Sequence, residues 1–132
     1  MRTRSPSAVP LVLIVDDNEK NRKLARDVLR AAGLGTLEAG TAADAVALAA
    51  TRLPDVILLD LGLPDMAGTE VARELRARTG TAHIPIVALS AMRDAGDHDW
   101  LLKAGFAGFL SKPIDVGVFP DQVRGYCGTD RD

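Results

Sequence analysis

The stretch Val56-Ile57-Leu58-Leu59-Asp60-Leu61-Gly62-Leu63-Pro64 decides the fold. Four aliphatic residues, two of them β-branched, lead into a carboxylate, and an apolar turn with glycine and proline follows. A short unbroken apolar run reads as a strand buried on both faces, the kind found in parallel sheets. Burying an unpaired carboxylate inside such a strand costs on the order of several kcal/mol. Asp60 therefore belongs at the strand's end, facing a crevice.

Outward from this segment, strand-like runs alternate with helix-like stretches. Strands are expected over residues 11–15, 35–39, 55–59, 84–89 and 107–110. Residues 19–32 carry Leu24, Ala25, Val28, Leu29 and Ala32 at helical spacing, with Gly33 as a stop. Thr41 is placed to N-cap a second helix, with Asp44 at the capping-box position and Ala42, Ala45, Val46 and Ala49 facing inward. Pro54 separates that helix from the third strand, and residues 68–78 put Val71, Ala72 and Leu75 on one helical face. Pro85 falls near the start of the fourth strand, where a missing N–H is tolerated. Residues 94–104 read as a weaker helix. The last helix is expected over 115–126, with Phe119, Val123 and Tyr126 inward; Pro120 makes it kinked or late-starting. Regular strand–helix alternation implies an α/β fold: a doubly wound, five-stranded parallel sheet with five helices on its two faces.

Composition narrows the partners. The chain has 132 residues, enough for one domain with its own core, here placed at 10–127 between tails 1–9 and 128–132. Apolar residues make up 47% and aromatic residues 4%, so the core is aliphatic and alanine-rich. With a net charge of -2 and no basic stripe, nucleic-acid binding has no electrostatic support. Cys127 is alone, which excludes a disulfide framework and reads as an inert thiol. The apolar run after the N-terminal arginines stops at Asp16-Asp17, shorter than the ~7–15 residues of a secretory segment. No run approaches the ~18–20 apolar residues of a membrane span. The expectation is a soluble cytoplasmic protein with no membrane partner.

Chemistry in a doubly wound sheet sits outside the carboxyl ends of the strands. Those ends are Asp16-Asp17, Asp60, Ser90 and Ser111-Lys112-Pro113. Three carboxylates held together repel one another, and a hard divalent cation such as Mg²⁺ removes the conflict through oxygen ligands. Lys112 suits a phosphoryl group better than a metal, and Ser90 can donate to a phosphoryl oxygen. A metal site, a carboxylate nucleophile, a lysine and a hydroxyl are the parts of a phosphoryl-transfer site.

These residues stand in recognisable stretches: residues 13–18 (Leu-Ile-Val-Asp-Asp-Asn), 60–68 (Asp-Leu-Gly-Leu-Pro-Asp-Met-Ala-Gly), 88–91 (Ala-Leu-Ser-Ala) and 106–115 (Phe-Ala-Gly-Phe-Leu-Ser-Lys-Pro-Ile-Asp). Over about residues 10 to 127 the chain resembles the receiver domain of bacterial two-component response regulators, most closely the single-domain regulators of the DivK or CheY kind. The resemblance implies a flavodoxin-like sheet of order 2-1-3-4-5. It implies that Asp60 is the phosphoacceptor, fed by a sensor histidine kinase or histidine phosphotransfer protein. It places Mg²⁺ on Asp16, Asp17, Asp60 and the Gly62 carbonyl, with Lys112 pairing with the phosphoryl group. Ser90 takes the role of the hydroxyl that reports phosphorylation, and Phe109 that of the aromatic switch residue. Many relatives carry tyrosine at the Phe109 position, so a hydroxyl-specific bond is missing here. The implied downstream docking face is helix 4, strand 5 and helix 5. Gly62 and Met92 stand where phosphoryl lifetime is tuned.

Other residues read more plainly. Arg22, Lys23, Arg26 and Arg30 form a solvated face of the first helix, with a partner surface as the alternative. Asp65 is exposed after a proline turn, His83 and His98 lack ligand spacing, and Trp100 divides between partner contact and partial burial. Two rival functions follow from the same residues: a phosphorylation-independent adaptor, and an aspartyl-phosphate phosphatase. The phosphatase wants a second acid two residues beyond the nucleophile, where Gly62 stands. A flavin-binding protein would find its phosphate repelled by Asp16-Asp17-Asn18-Glu19. The expectation is a regulator with no substrate beyond its own phosphoryl group, not a turnover enzyme.

Overall fold

The computed structural model of the chain describes residues 9–90, 99–112 and 114–127. Aliphatic segments of four or five residues form the strands β1 (Leu11–Val15), β2 (Gly35–Ala39), β3 (Val56–Asp60), β4 (Ile86–Ser90) and β5 (Gly108–Ser111). Between and after them run α1 (Glu19–Ala31), α2 (Ala42–Arg52), α3 (Gly68–Ala77), α4 (Asp99–Lys103) and α5 (Phe119–Tyr126). The sheet is parallel throughout, in the order β2-β1-β3-β4-β5.

Successive strand residues point to opposite faces, and both faces are covered. Leu13, Val15, Ile57, Leu59, Ile86 and Ala88 pack with Ala45, Val71, Leu75 and Leu101 on the α2–α3–α4 side. Val12, Ile14, Val56, Leu58, Val87 and Leu89 pack with Leu29, Phe119 and Val123 on the α1–α5 side. Each fully buried aliphatic side chain stabilises the fold by about 1.5–3 kcal/mol relative to exposure. The central position of β3 explains its sequence: with neighbours on both edges and helices on both faces, all five of its residues are buried.

The local signals hold at several helix ends. Asn18 caps α1 by accepting from the Asn21 N–H at 3.1 Å, and Gly33 follows the helix at φ +91, a left-handed conformation suited to glycine. Thr41 Oγ1 accepts from the Asp44 N–H at 3.2 Å, and the four inward residues expected of α2 are buried. That helix ends on Leu53 at φ 50, a conformation costing a residue with a side chain about 1–2 kcal/mol.

Elsewhere the structure departs from the expectation. β3 begins at Val56 instead of residue 55; there Asp55 exchanges two bonds with Leu11, its carboxylate accepting from the Leu11 N–H at 2.7 Å and its own N–H donating to the Leu11 carbonyl at 2.8 Å. β4 begins at Ile86 instead of residue 84, since the Ile84 N–H turns back to the Thr81 carbonyl and its own carbonyl is taken by Arg76. β5 is shifted one residue later and ends on Ser111, opposite Ser90. α5 starts late, at Phe119, and Pro120 lies in its first turn, where a missing N–H removes no helical bond. On α1 the buried line runs through Ala25 and Leu29, and Leu24, at the margin of that stripe, is 44% exposed. Of the helix expected over 94–104, the described part is α4; Met92 and His98 lie outside the described residues.

Arg76 organises this end of the molecule in a way its sequence position does not suggest. Its Nη1 donates to the carbonyls of Ala82 and Ile84, both at 2.8 Å. Its Nε and Nη2 donate to the Gly105 carbonyl at 3.2 and 2.7 Å. One guanidinium thus ties α3 to the turn before β4 and to the turn after α4. Gly105 sits at φ +101 with the Arg76 side chain 3.5 Å from where a Cβ would be. Hydrogen bonds to charged groups contribute about 1.5–3 kcal/mol. Arg76→Met is expected to lose about that much stability in urea unfolding; a change within experimental error would show the clamp to be dispensable.

Candidate functional site

The carboxyl ends of β1, β3, β4 and β5 meet at one edge of the sheet. Asp16 follows the last residue of β1 and is 2% exposed. Its N–H continues the ladder to the Ala39 carbonyl at 3.1 Å, and its Oδ1 accepts from the Asn18 N–H at 2.9 Å. Asp17, next along, is exposed. Asp60 closes β3 and is 8% exposed. The turn after it folds back so that the Gly62 N–H donates to Asp60 Oδ1 at 3.1 Å. Gly68 makes that return possible: a Cβ there would meet the Leu61 side chain at 2.8 Å and its Cα at 3.1 Å.

Lys112 crosses into the same space from β5. Its backbone N–H donates to the Ser90 carbonyl at 2.9 Å. Its Nζ lies 3.2 Å from Asp60 Oδ1 and 3.6 Å from Asp16 Oδ2. Ser90 is buried at the end of β4, and Phe109, half-buried, packs against the α2–α3–α4 core. The expected residues Asp16, Asp17, Asp60, Gly62 and Lys112 are therefore brought together, with Ser90 one strand away. The others stand apart: His83 is exposed, Trp100 is 41% exposed on α4, and Cys127 is buried in the α1–α5 core.

The three carboxylates each present an oxygen such that all three oxygens lie within 4.8 Å of one another. Among the described residues one ammonium, that of Lys112, stands against them, an excess of two negative charges. Burial pushes the Asp16 carboxyl above its usual range; the Asn18 N–H counters this, the Asp60 charge adds to it, and Lys112 offsets part. All-oxygen donors, partial exposure through Asp17 and an excess of two negative charges fit a hard divalent cation that keeps some water. They do not suit a soft metal, which prefers sulfur or imidazole ligands.

Two features escaped the sequence. Arg22 and Arg26 are not a solvated face: both pair with Glu38 of β2, at 3.3 and 3.0 Å, and are largely covered. Asp65 is exposed as expected, but its two oxygens accept from the N–H groups of Ala42 and Ala43, at 2.9 and 3.3 Å. It thereby supplies acceptors for the first two donors of α2, which the helix itself leaves unpaired. A signal existed, since α2 needs acceptors at its N-terminus, but the partner lies 23 residues away. These two bonds hold the Asp65 carboxyl below its ordinary range.

Comparison with known proteins places these features in a family. The profile of the response regulator receiver domain matches residues 12–124. The polar-differentiation response regulator DivK of Brucella ovis is 38% identical over 117 residues, covering 89% of this chain and 95% of that protein. Among solved structures, the chemotaxis response regulator CheY4 of Vibrio cholerae superposes with a TM-score of 0.85 at 25% identity, covering 90% of this chain and 99% of that one. The receiver domain of the Francisella response regulator 1452 gives 0.80 at 26% identity, covering 89% and 95%. The flavodoxin-like topology is the one these neighbours share.

Two outcomes follow from the electrostatics. In a chelator, Asp16→Asn keeps an acceptor for the Asn18 N–H but removes the buried charge. It is expected to unfold at higher urea than the wild type, by about 0.5–2 kcal/mol, a common gain where a functional site is relieved; a loss of stability would contradict the repulsion. Asp65→Ala is expected to unfold at lower urea than the wild type at neutral pH. Because the folded Asp65 carboxyl is held low, its contribution is complete above the ordinary value of 3.8 and fades as pH falls through the folded value. A deficit that persists unchanged at the acid end would rule out the ionised cap.

Proposed function

The chain belongs to the response regulator receiver domain family, and from that membership we propose that Asp60 is its phosphoacceptor in a two-component signalling pathway. The observation that carries the reading is the Lys112 Nζ at 3.2 Å from Asp60 Oδ1, beside a cluster of three carboxylates. The donor is the phosphohistidine of a sensor kinase or of a histidine phosphotransfer protein. A carboxylate oxygen of Asp60 forms a bond to phosphorus while the phosphorus–nitrogen bond breaks. The imidazole, protonated on its other nitrogen, leaves as the neutral ring.

Asp16, Asp17, Asp60 and the Gly62 carbonyl would hold Mg²⁺, which supplies charge neutralisation for the phosphoryl oxygens. The chain's own contributions are orientation and countercharge. The Gly62 N–H aims the Asp60 carboxylate, and Lys112 stands where an incoming phosphoryl oxygen needs a cation. Ser90, buried at the end of the neighbouring strand, is the donor that would move toward the new group. Phe109 is the packing element that would respond, on the face formed by α4, β5 and α5, where a downstream protein docks. This is a modification biasing a two-state element. The protein acts as a cytoplasmic switch, with no substrate beyond its own phosphoryl group. Among the described residues no helix is long and apolar enough to cross a membrane.

The test is incubation with Mg²⁺ and acetyl phosphate followed by intact-mass measurement. The wild type should gain one phosphoryl group, and Asp60→Asn, which keeps shape but removes the nucleophile, should gain none. Lys112→Ala should take up phosphate slowly and fail to change its partner binding. Uptake that survives in Asp60→Asn would overturn the assignment.

A further inference from the structure

Asp17 is the exposed member of the acidic cluster, and it lies beyond the last ladder residue of β1. The peptide that leads into it is the one whose carbonyl belongs to Asp16, and that carbonyl has a partner of its own. The Nη1 of Arg22 donates to it at 2.8 Å. The same guanidinium is held from its other edge, Nε donating to Glu38 Oε1 at 3.3 Å. Glu38 is in turn held by Arg26, whose Nη1 donates to Oε2 at 3.0 Å. Gly40 leaves room for the group: a Cβ at that position would stand 3.0 Å from Arg22 Nη1. With the Asp16 N–H bonded to Ala39, the Asp16 residue is held on its amide side by β2 and on its carbonyl side by α1.

We propose that Arg22 is a positioning residue for the acidic cluster: by gripping the Asp16 carbonyl it fixes the Asp16–Asp17 peptide and hence the direction from which the Asp17 carboxylate enters the site. The proposal rests on the reading of that cluster as a Mg²⁺ site. Glu38 serves to aim the guanidinium, and a planar fork donating along two edges does this where a lysine could not. The sign of the effect distinguishes positioning from charge. A cationic side chain near a cation site repels the cation, so on electrostatics alone its removal tightens Mg²⁺ binding. On positioning, its removal weakens binding, because the cluster must be ordered when the metal arrives. Partners that orient metal ligands typically contribute about 10–100-fold in affinity, and a grip on a backbone carbonyl belongs at the low end.

The experiment measures Mg²⁺ affinity alone, by calorimetry and by the Mg²⁺-dependent shift in melting temperature, each variant read against its own metal-free state. Arg22→Met should bind roughly tenfold more weakly than the wild type. Arg22→Lys, which keeps the charge but cannot hold carbonyl and carboxylate together, should fall between them. Arg26→Met, which leaves the carbonyl grip in place and loosens only Glu38, should lose much less than Arg22→Met. Equal or tighter binding by Arg22→Met overturns the proposal, as does an equal loss in Arg26→Met. A wild type with no Mg²⁺ response overturns it together with the metal reading. A wild type that binds Mg²⁺ with the expected variant order but takes up no phosphoryl group leaves Arg22 in this role and sinks the phosphoacceptor reading instead.

Discussion

The governing constraint is electrostatic: parallel strands deliver their carboxyl ends to a single edge, and on this chain three of the groups delivered are carboxylates. Asp16 and Asp60 are nearly enclosed, and one ammonium, that of Lys112, stands between them. Close like charges in a poorly solvated place oppose folding. The sheet tolerates them because its two faces are filled by aliphatic residues that need no polar partner. A site of this kind is poised by its own repulsion. Any divalent cation or phosphoryl group that changes the charge balance alters the energy of every residue around it.

Holding such groups in place calls for ties that run across elements, and the structure has several. Asp55 caps the start of β1, Asp65 caps the start of α2, Arg76 gathers three carbonyls near Gly105, and Arg22 grips the carbonyl of Asp16. Each serves a backbone group that regular secondary structure leaves without a partner. Such groups cost about 1–3 kcal/mol when buried and unsatisfied. All four complete the hydrogen bonding at element ends; Arg22, on the Asp16 carbonyl, and Asp65, in the stretch after Asp60, also act on the segments that carry the acidic residues.

This divides what could be read from the sequence from what could not. The strands were legible because buried aliphatic runs such as Val56 to Leu59 have few other uses, and the residues after them inherit their place from the topology. Asp16, Asp17, Asp60 and Lys112 were found that way. β4 starts two residues later than its apolar run suggests because the carbonyl of Ile84 answers to Arg76, which no periodicity in that strand records. Leu24 is exposed despite its helical spacing because a helix lying on a sheet buries a limited stripe, and the apolar residues of α1 exceed that width. Arg22 and Arg26 looked like solvent-facing charges until β2 supplied Glu38 between them. Local pattern reports burial; it does not report which distant polar group has been matched to which.

Lys112 shows how those matches bear on switching. Its side chain pairs with Asp60 while its backbone N–H pairs with the Ser90 carbonyl, so one residue joins the charge at β3 to the pairing of β4 with β5. Phe109 lies on β5 opposite Ala88, two residues before Ser111, which pairs with Ser90. On the proposed reading, a group added to Asp60 pulls on Lys112 and Ser90 together; Ser90 ends β4, the strand paired with β5, and Lys112 directly follows β5, which carries Phe109. A phenylalanine has no hydroxyl with which to fix an outward or inward position. On that reading its response comes from its packing in the cluster that also holds Ala88 of β4 and Leu101 of α4.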